Sequence, residues 1–390
     1  MAKLILKRGR EGRILAGHPW IYRGELAEVV GDWRADEAVT VLDGDRQFVG
    51  RGFYNPRPSL CCRLLTREDE PIGAAFFRRR LEAALAYRSR SGLTGDAFRW
   101  VWSEGDDLAG LVVDRYGPVT VLQCLTLGMS RIKPWLLDAV REIGPAEHIY
   151  LHDEPTAAHL EGFEPERRWV DAVGPAEVEI REGPCRFLVP IEGGQKTGHY
   201  LDQRENRALV AARARGRRVL DAFCYAATFA CQALFADARE AVCLDSSAEA
   251  VTLARRTLAL NGVEARVDCR EVNAFDELRR LERAGQRFGL IVLDPPPFTR
   301  RKEALDAAVR GYKEINLRAL RLLEEGGVLA TFSCSHHVTP ALFEDICRAA
   351  AADAGVRVRV LATLGQARDH PVLLTVPETR YLKGLLLEGV

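Results

Sequence analysis

The chain has 390 residues, of which 47% are hydrophobic and 28% charged, and its formal net charge is zero. This length is enough for two or three domains, each with its own core. No apolar run reaches the roughly 18 residues that a membrane span requires, and the N-terminal stretch "MAKLILKRGREGR" lacks the apolar core of a secretory signal. We therefore expect a soluble globular protein of the cytoplasm, with no membrane partner.

The ten cysteines are scattered along the chain and form no C-x-x-C pair or metal-like repeat. Disulfide frameworks and structural zinc sites show such regular spacing. We therefore expect reduced thiols and no metal site. The adjacent His336 and His337 have no third ligand at a useful spacing, and we expect them to lie at a helix entry or to face RNA.

Arginine dominates the basic residues, with 48 Arg among 55 Lys and Arg. Arginine binds phosphate and stacks on bases, although a GC-rich genome would give the same bias. Residues 1–67 carry twelve Lys and Arg against eight acids, a net charge of +4. A basic terminal module on a neutral chain favours a polyanion partner, and Arg8, Arg10 and Arg13 are its candidate RNA contacts.

Three stretches of different texture predict three domains. Residues 1–66 contain short strand-like runs broken by Gly, Asp-Gly and Asn-Pro turn signals, which indicates a small β-rich domain. Residues 67–172 combine an amphipathic helix with the hairpin pattern "LAGLVVDRYGPVTVLQCL", which indicates an α+β domain. Residues 173–390 open with a second hairpin, "AEVEIREGPCRFLVPIEGG", and then alternate between strand and helix.

The alternating region predicts an α/β domain with a mainly parallel sheet. Its strands are continuous apolar runs, as expected when helices cover both faces. The predicted helices lie near 228–237, 247–260, 275–284, 303–324 and 340–354. Ligands of such sheets bind at the carboxyl ends of the strands. The residues found there are 221–225, Asp245 with Ser246, Asn273, 294–298 and 333–336.

Asp245 ends the second of these strands, where one carboxylate can accept hydrogen bonds from both hydroxyls of a ribose. Alternatively it caps the next helix, in competition with Ser246 or Ser247. The turn after the first strand reads "DAFCYAATFA" and has no glycine. The absence of G-x-G-x-x-G disfavours a dinucleotide, whereas a nucleoside cofactor without phosphates, such as S-adenosylmethionine, does not need that motif.

The stretch "LDPPPF" places an acid at a strand end, followed by three prolines and an aromatic ring. Prolines remove backbone donors and stiffen the chain. Such a loop can hold a flat base beside Phe298, although Asp294 can equally be a simple turn residue.

Taken together, these motifs resemble the RlmI-like family, which are class I S-adenosylmethionine-dependent methyltransferases that form 5-methylcytosine in 23S ribosomal RNA and carry an N-terminal PUA domain. The motifs are "GHPWIYRGEL", "GLVVDRYG", "GGQKTGHYLDQRENR", "VLDAFCYAATF", "LDSSAEAVTLARRTLALNG", "VLDPPPF", "FSCSHHV", "ARDHPV" and "YLKG". The resemblance implies a Rossmann-like seven-stranded methyltransferase domain after a PUA-like and a middle domain. It also implies large-subunit ribosomal RNA as the partner; a homodimer is left open.

The resemblance also implies a set of site residues. Asp245 and Ser246 would hold the ribose, and Asn273 and Ala274 would lie by the adenine. The methionine part would be lined by Lys196, Thr197, Tyr200, Asp221, Phe223, Cys224 and Tyr225, and Asp294 is a further candidate contact of the cofactor. The RNA base would meet Pro295, Pro296, Phe298 and Ser335. The chain departs from the family pattern at 226–228, where Ala-Ala-Thr replaces Thr-Gly-Gly, and at Asn273, where the family has Asp.

Cys334 lies between two serines at a strand end, where a thiol faces the predicted cleft. Carbon 5 of cytosine is a poor nucleophile, and addition of a thiolate to carbon 6 makes it able to attack a methyl donor. We therefore predict Cys334 as the nucleophile and Asp294 as the group that binds the base edge. The base that removes the carbon 5 proton is left open, with a water held by Asp294 and a residue of "SHH" as candidates.

Three other interpretations remain open. Cys334 can be an inert core thiol, since cysteine is often buried. A methyltransferase of an exocyclic amine, such as guanine nitrogen 2, would also use the "DPPPF" loop and would need no cysteine. A non-catalytic RNA-binding or ribosome-assembly factor would keep the fold and lose affinity for the cofactor.

Overall fold

The computed structural model describes residues 2–93, 95–194, 197–299 and 302–390. The backbone forms two compact units. Unit 1 consists of Met1–Val178, Val189–His199 and Arg368–Thr379, and unit 2 consists of Glu179–Leu188, Tyr200–Ala367 and Arg380–Val390. The predicted domain boundaries at 66 and 172 stay predictions.

The N-terminal part of unit 1 is a six-stranded sheet in the order β2-β6-β5-β4-β1-β3. Its strands are β1 (Lys3–Leu6), β2 (Trp20–Tyr22), β3 (Leu26–Val30), β4 (Val39–Leu42), β5 (Phe48–Tyr54) and β6 (Leu60–Thr66), and a short helix α1 spans Gly12–Leu15. Strands β1 and β4 run parallel, and the other neighbours are antiparallel. Alternating apolar residues fill one core, as the β-rich prediction requires.

The second part of unit 1 is a five-stranded sheet in the order β11-β10-β9-β8-β7. Its strands are β7 (Ala97–Trp102), β8 (Leu111–Tyr116), β9 (Val119–Cys124), β10 (His148–His152) and β11 (Arg167–Trp169), and its helices are α2 (Ala74–Arg90), α3 (Leu127–Arg131), α4 (Lys133–Ile143) and α5 (Pro155–Glu161). The predicted amphipathic helix is α2, and the predicted hairpin is β8 with β9. Phe53 and Leu65 of the first sheet belong to the core of the second, so the two parts share buried apolar surface.

The second predicted hairpin is also present, as β12 (Glu177–Glu182) paired with β13 (Cys185–Pro190). Unit 2 is built on a seven-stranded sheet in the order β16-β15-β14-β17-β18-β20-β19. Its strands are β14 (Arg218–Ala222), β15 (Glu240–Asp245), β16 (Val267–Glu271), β17 (Phe288–Leu293), β18 (Leu323–Ser333), β19 (Val358–Gly365) and β20 (Lys383–Gly389). All neighbours are parallel except that β20 is antiparallel to both β18 and β19.

The helices of unit 2 are α6 (Arg204–Ala211), α7 (Thr228–Phe235), α8 (Ala248–Leu260), α9 (Ala274–Arg283), α10 (Leu305–Leu322) and α11 (Pro340–Ala354). Short 3-10 turns occur at Arg23–Glu25, Ser103–Asp106, Leu201–Gln203, Glu264–Arg266, Lys302–Ala304 and Pro377–Thr379. The five predicted helices of the alternating region are confirmed, and their ends differ from the predicted ones by at most two residues. Every residue of β17 is buried, as expected of a strand covered on both faces.

The predicted seven-stranded α/β architecture is therefore confirmed. Within the described ranges, no helix is long and apolar enough to cross a membrane. The carboxyl ends of β14, β15, β17 and β18 meet at one edge of the sheet, because these strands are parallel.

Candidate active site

The register of three neighbouring strands brings the proposed catalytic residues to the same edge. Leu293, the last residue of β17, lies opposite Ala222 of β14 and Thr331 of β18. Asp294 follows β17 directly, and Cys334 follows the end of β18. Residues that are 40 positions apart in the sequence therefore become neighbours.

Cys334 lies directly after the carboxyl end of β18, at this edge of the sheet. Its Sγ lies 3.9 Å from the carbonyl oxygen of Pro295, the residue after Asp294. All ten cysteines lie in the described part of the chain, and none of them forms a disulfide. Eight are buried, and only Cys269 and Cys334 are half-buried. Cys334 is therefore not a fully buried core thiol.

The two serines beside the thiol are fully buried and hydrogen-bonded. The Ser335 hydroxyl lies 2.9 Å from the Tyr312 hydroxyl, and the Ser335 N–H donates to the Ser333 hydroxyl at 3.3 Å. Lys383 Nζ donates to the Ser335 carbonyl oxygen at 2.7 Å. Neither Tyr312 nor a role for Lys383 was predicted from the sequence, although a lysine directly before the apolar run "GLLLEG" was a visible signal.

Asp294 is half-buried, and its N–H donates to the Ala222 carbonyl oxygen at 3.4 Å, which ties the "DPPPF" loop to β14. Pro295 is buried and Pro296 is exposed. The Phe298 ring packs against Tyr312, with 4.5 Å between centroids. It also contacts the rings of two other phenylalanines, Phe223 and Phe275. Much of the Phe298 ring is therefore committed to protein packing.

Asp245 is held by two backbone donors. Its Oδ2 accepts the Tyr225 N–H and its Oδ1 accepts the Ser247 N–H, both at 3.0 Å. Ser247 caps α8, since its hydroxyl accepts the Ala250 N–H at 3.1 Å. The capping role thus belongs to Ser247, while Ser246 is exposed beside Asp245. The carboxylate is oriented and still half-buried, and each oxygen has a second lone pair for a hydroxyl donor.

The loop after β14 has an unusual backbone. Phe223, Tyr225 and Ala227 have φ values of +64°, +47° and +54°. These are left-handed conformations that glycine adopts most easily, and Ala227 is the one of the three that stands where the family pattern has a glycine. Asp221 is buried below the loop, where its Oδ2 accepts the Ala230 N–H at 3.1 Å. Burial raises the pKa of Asp221 well above its usual value. Cys224 is also buried.

Asn273 caps α9, since its Oδ1 accepts the Phe275 N–H at 2.9 Å. The Asn273 side chain is exposed, whereas Ala274 is buried. The rings of Phe223 and Phe275 meet edge to face at 6.4 Å. The adenine contacts predicted for Asn273 and Ala274 stay predictions.

The stretch before the first sheet strand is divided between the units. Lys196 lies outside the described residues. Thr197, in unit 1, is buried and hydrogen-bonds to Asp114, and its hydroxyl lies 3.2 Å from the Tyr116 hydroxyl. Tyr200, in unit 2, packs against Tyr225 with 5.3 Å between ring centroids. Burial, followed by the charge of Asp294, raises the pKa of Tyr200.

The three arginines predicted to contact RNA differ in their surroundings. Arg8 and Arg10 are exposed, and Arg8 forms an ion pair with Asp45. Arg13 is half-buried: it donates to the Trp20 carbonyl oxygen at 2.8 Å and to Glu25 at 3.2 Å. Arg13 therefore supports the local fold, and any contact of these arginines with RNA stays a prediction.

The histidines of "SHH" and "DHP" are in contrasting environments. His336 is exposed and His337 half-buried, and Thr339 rather than a histidine caps α11. His370 is buried in unit 1, where its Nδ1 lies 2.8 Å from Asp369 Oδ1. Across the described ranges, no group of three His, Cys, Asp or Glu side chains could hold a metal ion.

The residues at this edge fit a nucleoside cofactor. They combine an oriented carboxylate at the second strand, an aromatic cluster near Asn273, and a thiol at the fourth strand. The family model of the PUA-like domain matches residues 4–67, and that of the S-adenosylmethionine-dependent methyltransferases matches residues 163–369. Over 99% of this chain and 98% of the relative, the sequence is 37% identical to the ribosomal RNA large subunit methyltransferase I of Alteromonas mediterranea.

The chain belongs to the RlmI-like methyltransferase family. A relative of the same name from Klebsiella pneumoniae is 38% identical over 98% of this chain and 97% of its own length. Two solved structures have the same fold over their whole length. They are a candidate methyltransferase from Streptococcus mutans (TM-score 0.85, 18% identity) and SMU.776, a candidate methyltransferase complexed with SAH (TM-score 0.87, 19% identity).

Membership of the RlmI-like family confirms the resemblance seen in the motifs, the PUA-like first module and the class I fold. It also establishes S-adenosylmethionine as the cofactor. The residue-by-residue assignments within the site stay predictions.

Proposed function

We propose that this protein forms 5-methylcytosine in the 23S ribosomal RNA of the large subunit, through a covalent adduct between Cys334 and the base. The observation that carries the proposal is the position of Cys334 Sγ, 3.9 Å from the Pro295 carbonyl oxygen. A thiol at this point stands beside the acid that would bind the base.

The thiolate of Cys334 adds to carbon 6 of cytosine, and its electron pair forms the new S–C bond. Carbon 5 thereby becomes enamine-like. When bound, S-adenosylmethionine supplies the methyl group that carbon 5 attacks. A base then removes the carbon 5 proton, and the C–S bond breaks to restore the ring and the Cys334 thiolate.

Asp294 binds the base edge at nitrogen 3 or at the exocyclic amine. The attachment of its loop to β14 fixes the carboxyl group at the same edge as the thiol. A proton shared between Asp294 and nitrogen 3 withdraws electrons from the ring and promotes the addition at carbon 6.

The assignment to ribosomal RNA is supported by two observations. The full-length relatives carry the name ribosomal RNA large subunit methyltransferase I. The chain also carries a PUA-like module with exposed arginines at Arg8 and Arg10, which suit phosphate contacts. Whether the chain forms a homodimer stays a prediction.

The test uses RNA that carries 5-fluorocytidine at the target position. Fluorine cannot leave as a proton does, so the methylated adduct stays attached to the protein. We expect a covalent protein–RNA band in denaturing gels that requires S-adenosylmethionine. Cys334→Ala should abolish the band and the 5-methylcytosine, and cofactor affinity should stay close to that of the wild type. Cys269→Ala is the matched control, because Cys269 is the other half-buried cysteine.

Two outcomes would contradict the proposal. If Cys334→Ala still methylates RNA at a comparable rate, the acceptor is not carbon 5, and an exocyclic amine oriented by Asp294 replaces it. If the wild-type protein binds RNA but transfers no methyl group to it, the protein acts as an assembly factor.

A further inference from the structure

Lys383 is a buried lysine that is hydrogen-bonded to the segment carrying the proposed nucleophile. It is the first residue of β20 and pairs with Ser333, the last residue of β18. Its residue exposure is 7%, and its Nζ donates to the Ser335 carbonyl oxygen at 2.7 Å. Ser333 and Ser335 flank Cys334, so Lys383 is attached to the segment that carries the thiol from both its backbone and its side chain.

The position of Lys383 is set by close packing of the two strands. A Cβ built on the next residue, Gly384, would lie 2.6 Å from the Phe332 ring and 2.8 Å from the Thr331 carbonyl oxygen. Only glycine permits this approach, and the approach holds β20 in register with the end of β18. Sequence reasoning could not place Lys383 here, because the pairing joins residues 50 positions apart.

Several titratable groups surround the thiol. Tyr200, Tyr312 and Lys383 each interact electrostatically with Cys334. Asp294 acts on Tyr200, and His336 follows two residues after Cys334. Burial raises the pKa of both tyrosines, so they stay neutral near pH 7. Burial lowers the pKa of the Lys383 ammonium to about 8, and the Cys334 thiolate opposes that shift.

We infer that Lys383 is a positioning residue: its ammonium, bound to the Ser335 carbonyl oxygen, keeps the neighbouring Cys334 in its thiolate form. The inference deepens the proposed function and rests on it for the role of the thiolate. An ammonium next to a thiol favours the thiolate, which is the nucleophilic form. The hydrogen bond to the carbonyl oxygen of Ser335, the residue after Cys334, fixes the position of this charge beside the segment that carries the thiol.

Formation of the thiolate–ammonium pair releases one proton. In the fully protonated pair, Sγ carries one proton and Nζ carries three. One proton leaves Sγ for water, the electron pair of the S–H bond stays on sulfur, and an ammonium faces a thiolate. The two groups then titrate as a coupled pair rather than independently. Nothing is oxidised or reduced.

The test is the pH dependence of alkylation at Cys334, measured on the full-length protein without RNA or cofactor. Iodoacetamide is added between pH 6 and 10, and mass spectrometry quantifies the Cys334 peptide. Lys383→Gln keeps a donor for the Ser335 carbonyl oxygen and removes the charge. We expect it to move the midpoint upward by about one pH unit, because an adjacent lysine lowers the pKa of a thiol. Lys383→Arg keeps the charge and should keep the wild-type midpoint.

Two control variants separate charge from packing. Lys313→Gln removes a lysine that pairs with Asp353 on the surface, and it should leave the profile unchanged. Tyr312→Phe removes the hydroxyl that contacts Ser335 and leaves Lys383 in place. It should also keep the low midpoint. If Tyr312→Phe moves the midpoint as much as Lys383→Gln does, packing rather than charge sets the reactivity and the inference is overturned.

A wild-type measurement keeps the inference testable if Lys383→Gln does not fold. The midpoint for Cys334 in the native protein should lie below that of a peptide spanning 328–338 under the same conditions. A native midpoint at or above that of the peptide overturns the inference, and so does a Lys383→Gln midpoint equal to that of the wild type. Neither result affects the 5-fluorocytidine test, so failure of the inference and failure of the proposed function are distinguishable.

Discussion

The carboxylate of Asp245 accepts the backbone N–H of Tyr225 at 3.0 Å and thereby joins the ends of β14 and β15. Tyr225 belongs to the loop with three left-handed residues, so the backbone of that loop orients the carboxylate. Its second oxygen is oriented in the same way by Ser247. A carboxylate held like this is ready to accept both hydroxyls of a ribose without first losing side-chain entropy.

We therefore predict that Asp245→Asn weakens the binding of S-adenosylmethionine by roughly 10- to 150-fold, because a hydrogen bond to a charged group contributes about 1.5–3 kcal/mol. Isothermal calorimetry measures the affinity directly. Glu249→Gln is the control, since Glu249 is an exposed acid in the first turn of α8. Unchanged affinity in Asp245→Asn would remove Asp245 from the ribose site.

The N-terminal arginines predict a salt-dependent contribution to RNA binding. Deletion of residues 1–66 would expose the core that Phe53 and Leu65 share with the second sheet, so substitutions are the better test. Arg8→Ala combined with Arg10→Ala should weaken RNA binding and reduce the slope of log K against log salt by about 1.5, at roughly 0.7–0.9 per phosphate. Cofactor affinity should not change.

Arg348→Ala is the control for this pair, because Arg348 is an exposed arginine of α11 that pairs with Asp345. An identical salt slope in the double variant and the wild type would show that these arginines do not contact phosphate. Arg13→Ala should instead lower the stability of the protein, since its guanidinium holds Trp20 and Glu25.

Truncation of Glu161 should lower the free energy of unfolding strongly. It is buried, its Oε1 accepts from Arg63 at 2.9 Å, and its Oε2 accepts from Asn55 at 2.8 Å and from the Leu127 N–H at 3.2 Å. Glu161→Ala leaves Arg63 with only the more distant Glu104, at 3.9 Å, and removes the carboxylate that accepts from Asn55 and Leu127, so we expect a cost of about 3–5 kcal/mol. Denaturant unfolding measures it.

The control for Glu161 is Glu164→Ala, three residues further on at an exposed position. It should change the free energy of unfolding by less than about 0.5 kcal/mol. A similar effect of both substitutions would mean that the buried network does not stabilise unit 1.

We expect the contribution of Glu277, in α9, to the free energy of unfolding to depend on pH. A hydrogen bond from Arg280, together with Arg270, holds the pKa of the buried Glu277 below its usual value of 4.5. A lowered pKa means that the contribution is complete above about pH 4.5 and is lost as the pH falls through the folded value. Glu277→Gln should cost about 0.5–1.5 kcal/mol at pH 7, the usual net contribution of a hydrogen bond, and the difference from the wild type should shrink as the pH falls below about 4.5.

Asp276→Asn is the matched control for this difference, since Asp276 is the neighbouring exposed acid and pairs with Arg279 at 3.3 Å on the surface. Its effect should stay below about 0.5 kcal/mol at every pH. A gap between the wild type and Glu277→Gln that is as large at pH 3 as at pH 7 would show that packing, not ionisation, explains the cost.

Local sequence was sufficient for the strands and helices of the alternating region, and it also predicted where the site lies. Apolar runs of strand length, separated by helical patterns, predicted the alternating region because burial on both faces requires continuous apolar residues. Asp245, Asp294 and Cys334 follow such runs, so the rule that ligands bind at the carboxyl ends of parallel strands grouped them without coordinates. The resemblance to the RlmI-like family, together with the thiol of Cys334 at a strand end, then suggested the reaction.

Tertiary structure alone decided which side chains surround these residues. Lys383 reaches the Ser335 carbonyl oxygen across 48 positions, and the Phe298 ring packs into an aromatic cluster rather than lying open. The "ARDHP" stretch follows β19, yet Asp369 is buried in unit 1, where it accepts the Arg99 N–H at 2.9 Å. Each of these contacts joins distant residues. Periodicity reports only whether a residue is buried, whereas the partner it meets depends on how the strands and helices pack in three dimensions.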